Sequence, residues 1–267
     1  MSEKVVIITG ASSGIGLATA KLFTEKGYKV YGFSRTKVAD VPFTQIITDV
    51  NDQSSVDSAI EVVVEVSGRI DILFNNAGIS LLGAAEESSM EQIKSVFETN
   101  FFGAVRLTNA VLPIMRSQGA GRIIHTSSVA GVVTGPFMAY YAASKYALEA
   151  YSESLDHEVR KLGIRSVLIE PGFMKTSLGK HSTKADRLQP VYTPARKRVE
   201  RIVETSLSRA PEPVVVANRV FSVSNTRCPK VRYTVGADAK ILTNLKRLLP
   251  DTFFDSFLRS AYQMNSK

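Results

Sequence analysis

Short apolar runs punctuate the first two thirds of the chain, with amphipathic stretches filling the gaps between them. Val5-Val6-Ile7-Ile8, Ile70-Asp71-Ile72-Leu73-Phe74 and Ser166-Val167-Leu168-Ile169 are near-continuous rather than alternating. Strands of that kind are buried on both faces, as in a parallel sheet covered by helices on both sides. The pattern predicts strands at 4–9, 29–34, 45–48, 71–75, 121–127 and 165–170. It predicts helices near 14–26, 53–67, 89–117 and 140–162, some with breaks. The alternation implies an α/β fold: a doubly wound parallel sheet in three α/β/α layers, with ligands outside the carboxyl ends of the strands.

After Pro171 the periodicity fades, and residues 175–193 read as a mobile loop. Helical stretches near 194–209 and 213–225 precede a short strand, Arg232-Tyr233-Thr234-Val235. Ile241, Leu242, Leu245, Leu248 and Leu249 form an apolar stripe before Pro250, and Phe253, Phe254, Phe257 and Leu258 begin another. For this basic amphipathic tail, 238–262, packing on its own domain is favoured over a membrane or a partner surface.

Composition narrows the possibilities. The 267 residues, 44% hydrophobic and 22% charged, suit one α/β domain with its core over 4–235. The lone Cys228 rules out an internal disulfide and favours a reducing compartment. Met1-Ser2-Glu3-Lys4 runs straight into a strand with no signal-like apolar region, so a cytoplasmic location is expected. No apolar stretch approaches the length of a membrane span. The net charge of +8 comes from dispersed bases, and no zinc-finger or helicase-type signature accompanies them. Nucleic-acid binding is therefore not expected.

Candidate chemistry begins at Thr9-Gly10-Ala11-Ser12-Ser13-Gly14-Ile15-Gly16. A buried strand, a glycine-rich turn and a helix N-terminus in that order bring free backbone N–H groups and the helix dipole to one point, which suits a pyrophosphate. The spacing is G-x-x-x-G-x-G rather than the commoner G-x-G-x-x-G. A second constellation is Tyr141-Ala142-Ala143-Ser144-Lys145 in a helical stretch. Positions i and i+4 share a helix face, so the Lys145 ammonium can favour the Tyr141 phenolate. Ser128 stands thirteen residues before Tyr141 at the end of a strand, with Ser127 beside it. Tyr140 and Tyr146 flank the pair, but only Tyr141 combines Lys at i+4 with that serine spacing. His125, His157 and His181 have no partners for a nucleophilic triad; they read as a satisfied strand histidine, a helix-surface residue and a loop residue.

With these motifs, and with Asn75-Asn76-Ala77-Gly78 and Pro171-Gly172 in order, the chain resembles the short-chain dehydrogenase/reductase family over about residues 4–235. The likeness is to its non-extended branch, with a C-terminal region similar to hydroxysteroid and retinol dehydrogenase-like members. The resemblance implies a Rossmann fold and a catalytic tetrad of Asn100, Ser128, Tyr141 and Lys145. Tyr141 would exchange the proton, Ser128 bind the substrate oxygen, Lys145 bind the nicotinamide ribose and lower the Tyr141 pKa, and Asn100 hold a relay water. It also implies cofactor contacts from Gly10, Ser12, Ser13, Gly14, Ile15 and Gly16, from Asp49 and Val50 beside the adenine, and from Asn75, Asn76, Ala77 and Gly78 along the adenosine ribose. Pro171, Gly172, Phe173 and Thr176 would border the nicotinamide, Thr176 toward its carboxamide. A homodimer or homotetramer is expected on the same ground.

Cofactor choice turns on Ser34-Arg35-Thr36-Lys37 after the second strand, which has two bases and no acid. A guanidinium fits a 2′-phosphate bidentately, so NADP(H) is preferred to NAD(H). No metal site is expected. The apolar segment after Ser128 and loop 175–193 should frame a hydrophobic carbonyl or alcohol. A non-catalytic NADP-binding sensor or scaffold is the alternative, and an epimerase or dehydratase is disfavoured by the glycine spacing.

Overall fold

The computed structural model describes residues 3–176, 178 and 183–264. Seven parallel strands form the main sheet: β1 (Val5–Thr9), β2 (Lys29–Ser34), β3 (Thr44–Ile47), β4 (Ile72–Asn75), β6 (Gly121–Thr126), β7 (Ile164–Pro171) and β9 (Arg232–Val235). Their order is β3-β2-β1-β4-β6-β7-β9. Ile7 pairs with Tyr31 on one side and Leu73 on the other, which explains why β1 is apolar at every central position. Strand order reverses between β1 and β4. The crevice beyond their carboxyl ends is where a doubly wound sheet takes its ligand.

Helices cover both faces. On one lie α2 (Gln53–Ser67), α4 (Gly103–Gln118) and α5 (Ala139–Val159), over a core that includes Val63, Leu107, Met115 and Leu155. On the other lie α1 (Gly14–Glu25) and α7 (Val214–Ser224), which bury Phe23 against Val216, Val220 and Val223. Phe23 is wholly buried and meets Phe221 edge-on at 5.3 Å; such burial contributes about 2–3 kcal/mol. Two further helices, α8 (Ala237–Leu248) and α9 (Asp251–Ala261), form the tail. Among the described residues no helix is long and apolar enough to cross a membrane.

Two departures from the sequence reading bear on the site. The helical stretch expected near 89–117, with breaks that the pattern does not place, is α3 (Met90–Phe97), a π-helical turn (Glu98–Phe102) and α4. Such a turn shifts the apolar face by only about one residue, too little to place it from the pattern, and π turns concentrate at functional positions. The segment 175–193 is not a free loop where it is described. Leu81–Leu82 (β5) pairs in parallel with Thr183–Lys184 (β8), and Pro190–Tyr192 is a 3-10 turn leading into α6 (Thr193–Arg209). Glu87, fully buried, holds the segment: it accepts from Gln189 N–H at 2.7 Å, from Ala84 N–H at 2.9 Å, and from the Arg196 guanidinium. His181 and Lys180 lie outside the described residues.

The tail stripes are divided rather than buried whole. Phe254 is buried and Leu242 and Leu258 face a cleft, whereas Ile241, Leu248, Phe253 and Phe257 are exposed.

Candidate active site

The glycine-rich turn closes against the end of β4. Gly10 has φ +64°, and a Cβ there would lie 3.0 Å from both Ala77 Cα and Asn76 Nδ2. A Cβ at Gly16 would lie 2.3 Å from the Gly10 carbonyl oxygen, so only glycine lets α1 start this close to β1. Thr9 fixes the two loops together: its Oγ1 accepts from the N–H groups of both Asn76 and Ala77 at 2.9 Å, and its carbonyl accepts from Asn76 Nδ2 at 3.0 Å. Thr9 was not singled out in the sequence, because a lone threonine at a strand end has no distinguishing spacing.

A cavity of about 610 Å³ runs from this turn along the carboxyl edge of the sheet. Gly10, Ser12, Ser13, Gly14, Ile15, Arg35, Asp49, Val50, Asn76, Ala77 and Gly78 line one arm. Ser128, Tyr141, Lys145, Pro171, Gly172, Phe173 and Thr176 line its centre, and Leu82, Val133, Met138, Leu207, Leu242 and Leu258 its apolar arm. Arg35 is exposed at the end of β2. Gly10, Ser12, Ser13 and Gly14 line the cleft where α1 begins, and a Cβ at Gly14 would narrow it, lying 3.3 Å from Thr176. N–H groups at a helix start beside open space fit the diphosphate of a dinucleotide.

Three expected cofactor or catalytic residues are absent from the lining. Gly16 serves the close approach of α1 to Gly10. Asn75, 5% exposed, turns inward: its Nδ2 donates to Thr108 Oγ1 at 3.1 Å and the Ala104 carbonyl at 3.3 Å, and lies 3.3 Å from His125 Nδ1. Neighbours on a strand point to opposite faces, so Asn76 reaches the cleft and Asn75 cannot. Asn100, on the π turn and 1% exposed, accepts from Ile79 N–H at 2.8 Å and donates to the Ile79 carbonyl and Ser144 Oγ, both at 3.0 Å. It braces the loop that follows β4.

The side chains expected to react come from two elements. Ser128 follows β6 and caps the 3-10 turn Val129–Gly131, its Oγ accepting from Ala130 N–H at 3.1 Å. Tyr141 and Lys145 share one face of α5, with Lys145 Nζ 5.8 Å from the Tyr141 ring centroid and donating to the Thr126 carbonyl at 2.8 Å. Burial pushes the Tyr141 phenol above its ordinary pKa, with a hydrogen bond to Ser128 pulling the other way. The phenolate-favouring balance expected from the i, i+4 spacing is therefore outweighed by desolvation in the protein itself. Lys145 is brought down to about 8, again by burial, and Glu149 opposes the fall.

His125 is fully buried and held down to about 3 by desolvation and the Lys145 charge. Its Nε2 has no partner among the described residues, so it is less completely satisfied than its strand position suggested. His157 is exposed on α5, and Cys228 is free and exposed. Among the described residues no cluster of His, Cys, Asp or Glu is placed to hold a metal. The sequence reading also missed Asp238 of α8, which accepts from Phe173 N–H at 2.9 Å and anchors the segment after β7.

The short chain dehydrogenase model matches residues 4–187. A 3-ketodihydrosphingosine reductase of Bacteroides thetaiotaomicron is 34% identical over 98% of this chain and 99% of its own. An NADPH-dependent 3-dehydrocapnine reductase of Ornithobacterium rhinotracheale is 30% identical over 94% and 95%. A short-chain dehydrogenase of Streptomyces avermitilis superposes with a TM-score of 0.85 at 31% identity, covering 99% of both chains. A short chain dehydrogenase/reductase of Burkholderia phymatum, solved with NAD, gives 0.79 at 26% identity over 92% of both. A seven-stranded parallel sheet with its glycine cradle at the β1/β4 crevice, together with these likenesses, makes this chain a member of the short-chain dehydrogenase family of oxidoreductases.

Proposed function

We propose that the chain is an NADP(H)-dependent oxidoreductase interconverting an apolar ketone and its secondary alcohol, with Tyr141 as general acid and base. The observation that carries this reading is the meeting of Ser128, Tyr141 and Lys145 midway along one cleft. One arm of that cleft is the glycine cradle and the other an apolar wall. The bound nicotinamide would supply or remove the hydride. Ser128 Oγ donates to the substrate oxygen, and Tyr141 delivers its phenolic proton as that oxygen becomes an alkoxide. A phenol held protonated by burial suits delivery, the direction of ketone reduction. Lys145 offers its ammonium to the nicotinamide ribose, and Asn100 keeps the Ile79 loop in place beside it.

Arg35 at the rim supports NADP(H), its guanidinium matching a 2′-phosphate. One relative carries NADPH dependence in its name and one solved neighbour was solved with NAD, so the preference rests on this residue. Among the described lining residues the sole acid is Asp49, at the cofactor arm. With no carboxylate facing it, the substrate arm suits a neutral molecule. The same reading takes in a cytoplasmic homodimer or homotetramer, which light scattering and cell fractionation check.

The test is a panel of ketones, aldehydes and secondary alcohols with each nicotinamide, followed by nicotinamide absorbance. Turnover of apolar ketones with NADPH over NADH is the expected result; no turnover of any member with either cofactor would contradict the reading.

A further inference from the structure

Behind the Tyr141–Lys145 pair lies a set of buried charges that this mechanism does not use. Glu149 stands one turn beyond Lys145 on α5 and is 5% exposed. Its Oε2 accepts from Arg232 Nε of β9 at 2.8 Å, and the same guanidinium reaches Glu153 Oε2 at 2.8 Å. Glu170 of β7, with no exposure, lies 3.7 Å from Arg232 Nε and accepts from Thr234 Oγ1 at 2.8 Å. Ser127, 2% exposed, closes the set from the end of β6.

Gly131 marks where these elements converge. A Cβ there would lie 2.6 Å from Ser127 Oγ, 3.2 Å from Glu149 Cγ and 3.3 Å from Lys145 Cβ. Glu149 Oε1 and Ser127 Oγ are both buried without a partner in conventional hydrogen-bond geometry. The hydroxyl is nonetheless close enough to favour the carboxylate. A buried carboxyl left half-unsatisfied, with a basic neighbour one turn away, is costly as a mere staple for β9.

We propose that Glu149, pinned by Arg232 from the edge strand, is a positioning residue whose carboxylate keeps the Lys145 ammonium charged at the Tyr141 end of the cleft. The inference deepens the proposed function, because it rests on Lys145 serving the cofactor and Tyr141. Its physical basis is placement: Glu149 lies one helical turn from Lys145 on the same buried face, and the two side chains meet at Gly131, so the carboxylate counters the burial that disfavours the ammonium. Glu149 is itself pushed up to about 7 by burial and by Glu170, against Ser127 and Arg232. The charged or titratable groups around it are Lys145, Tyr146 and Glu153 on α5, Glu170 on β7 and Arg232 on β9. The two buried sites thus titrate as a coupled pair just above neutrality.

The direct test is a pH titration of the ¹⁵N-lysine-labelled full chain, with the Lys145 signal assigned by its loss in Lys145→Met. In Glu149→Gln the Lys145 midpoint should fall by about one unit, roughly a tenfold loss of proton affinity. Glu149→Asp, which keeps the charge, should fall less. An unchanged midpoint in folded Glu149→Gln, or an equal fall in both variants, overturns the proposal. Should neither variant fold, the ¹³C signal of the wild-type Glu149 carboxyl must inflect near the Lys145 midpoint of about 8; a trace without that inflection overturns it equally.

A second arm follows NADPH binding by nicotinamide fluorescence. Glu149→Gln should bind about fivefold more weakly than wild type at pH 8 and nearly equally well at pH 6, where Lys145 is largely charged in both. The same defect at both pH values marks a structural staple and counts against the proposal. Failure of every form to bind NADPH, with the Lys145 shift intact, instead refutes the cofactor reading and leaves the coupling standing.

Discussion

The two arms of the cleft are built differently. The cofactor arm is made of strand ends and backbone: Thr9 joins two loops, Gly16 admits α1 to within contact of Gly10, and Asn76 spans β1 and β6. The apolar arm is made of side chains, Leu207, Leu242 and Leu258 from α6, α8 and α9 with Leu82, Val133 and Met138 beside them. The outward faces of α8 and α9 leave Leu248 80% and Phe253 68% exposed. The first arm is fixed by geometry that tolerates little change. The second is a wall of apolar side chains set on elements outside the main sheet. On the proposed reading, the first arm holds the cofactor and the second the substrate.

Substitutions in the two arms should therefore behave differently. Gly16→Val, which drives Cβ and its methyls into the Gly10 carbonyl, should cost about 3–5 kcal/mol of stability and abolish NADPH binding; urea unfolding and fluorescence titration measure both. A near-wild-type urea midpoint would show that the cradle is not rigid. The sheet beneath the cradle has its own pH weakness at His125. Its pKa in the folded chain, about 3, lies below its ordinary 6.5, so the unfolded chain binds the proton more readily between those values. Stability is complete above 6.5 and falls by about 1.4 kcal/mol per pH unit on the way down. His125→Phe should flatten that acid limb in urea midpoints taken between pH 7 and 4.

Smaller effects are expected at the rim and the apolar wall. Arg35→Asp should weaken NADPH by about 10–100-fold and leave NADH within a few-fold, since it removes one charge-assisted contact; competitive fluorescence titration reads the ratio. Leu258→Ser should raise KM for an apolar ketone by about tenfold, with cofactor affinity and unfolding unchanged. A Leu258→Ser variant as crippled as Gly16→Val would erase the distinction between the arms.

The same distinction governs what was legible in the sequence. The strands, the glycine turn and the Tyr141–Lys145 spacing are local patterns, and their elements lie within one to three residues of their expected bounds. The assignment of both Asn75 and Asn76 to the cofactor side failed at one of the pair, because the alternation at a strand end sends one of them into the core. The π turn bearing Asn100 offsets the apolar face by only about one residue, too small a change to place it from the pattern. The docking of 183–192 depends on Glu87 and Arg196, and the clamp behind Lys145 on Glu149 and Arg232; their partners are far apart in sequence. Charged residues at such separations look like surface until the fold brings them together.

The claim on which the rest depends is that Tyr141 supplies the proton. Tyr141→Phe keeps the ring and removes the phenol, so NADPH oxidation by the best apolar ketone should fall by about 10²–10⁴-fold while NADPH affinity stays within a few-fold. Turnover equal to wild type in that variant would contradict the mechanism.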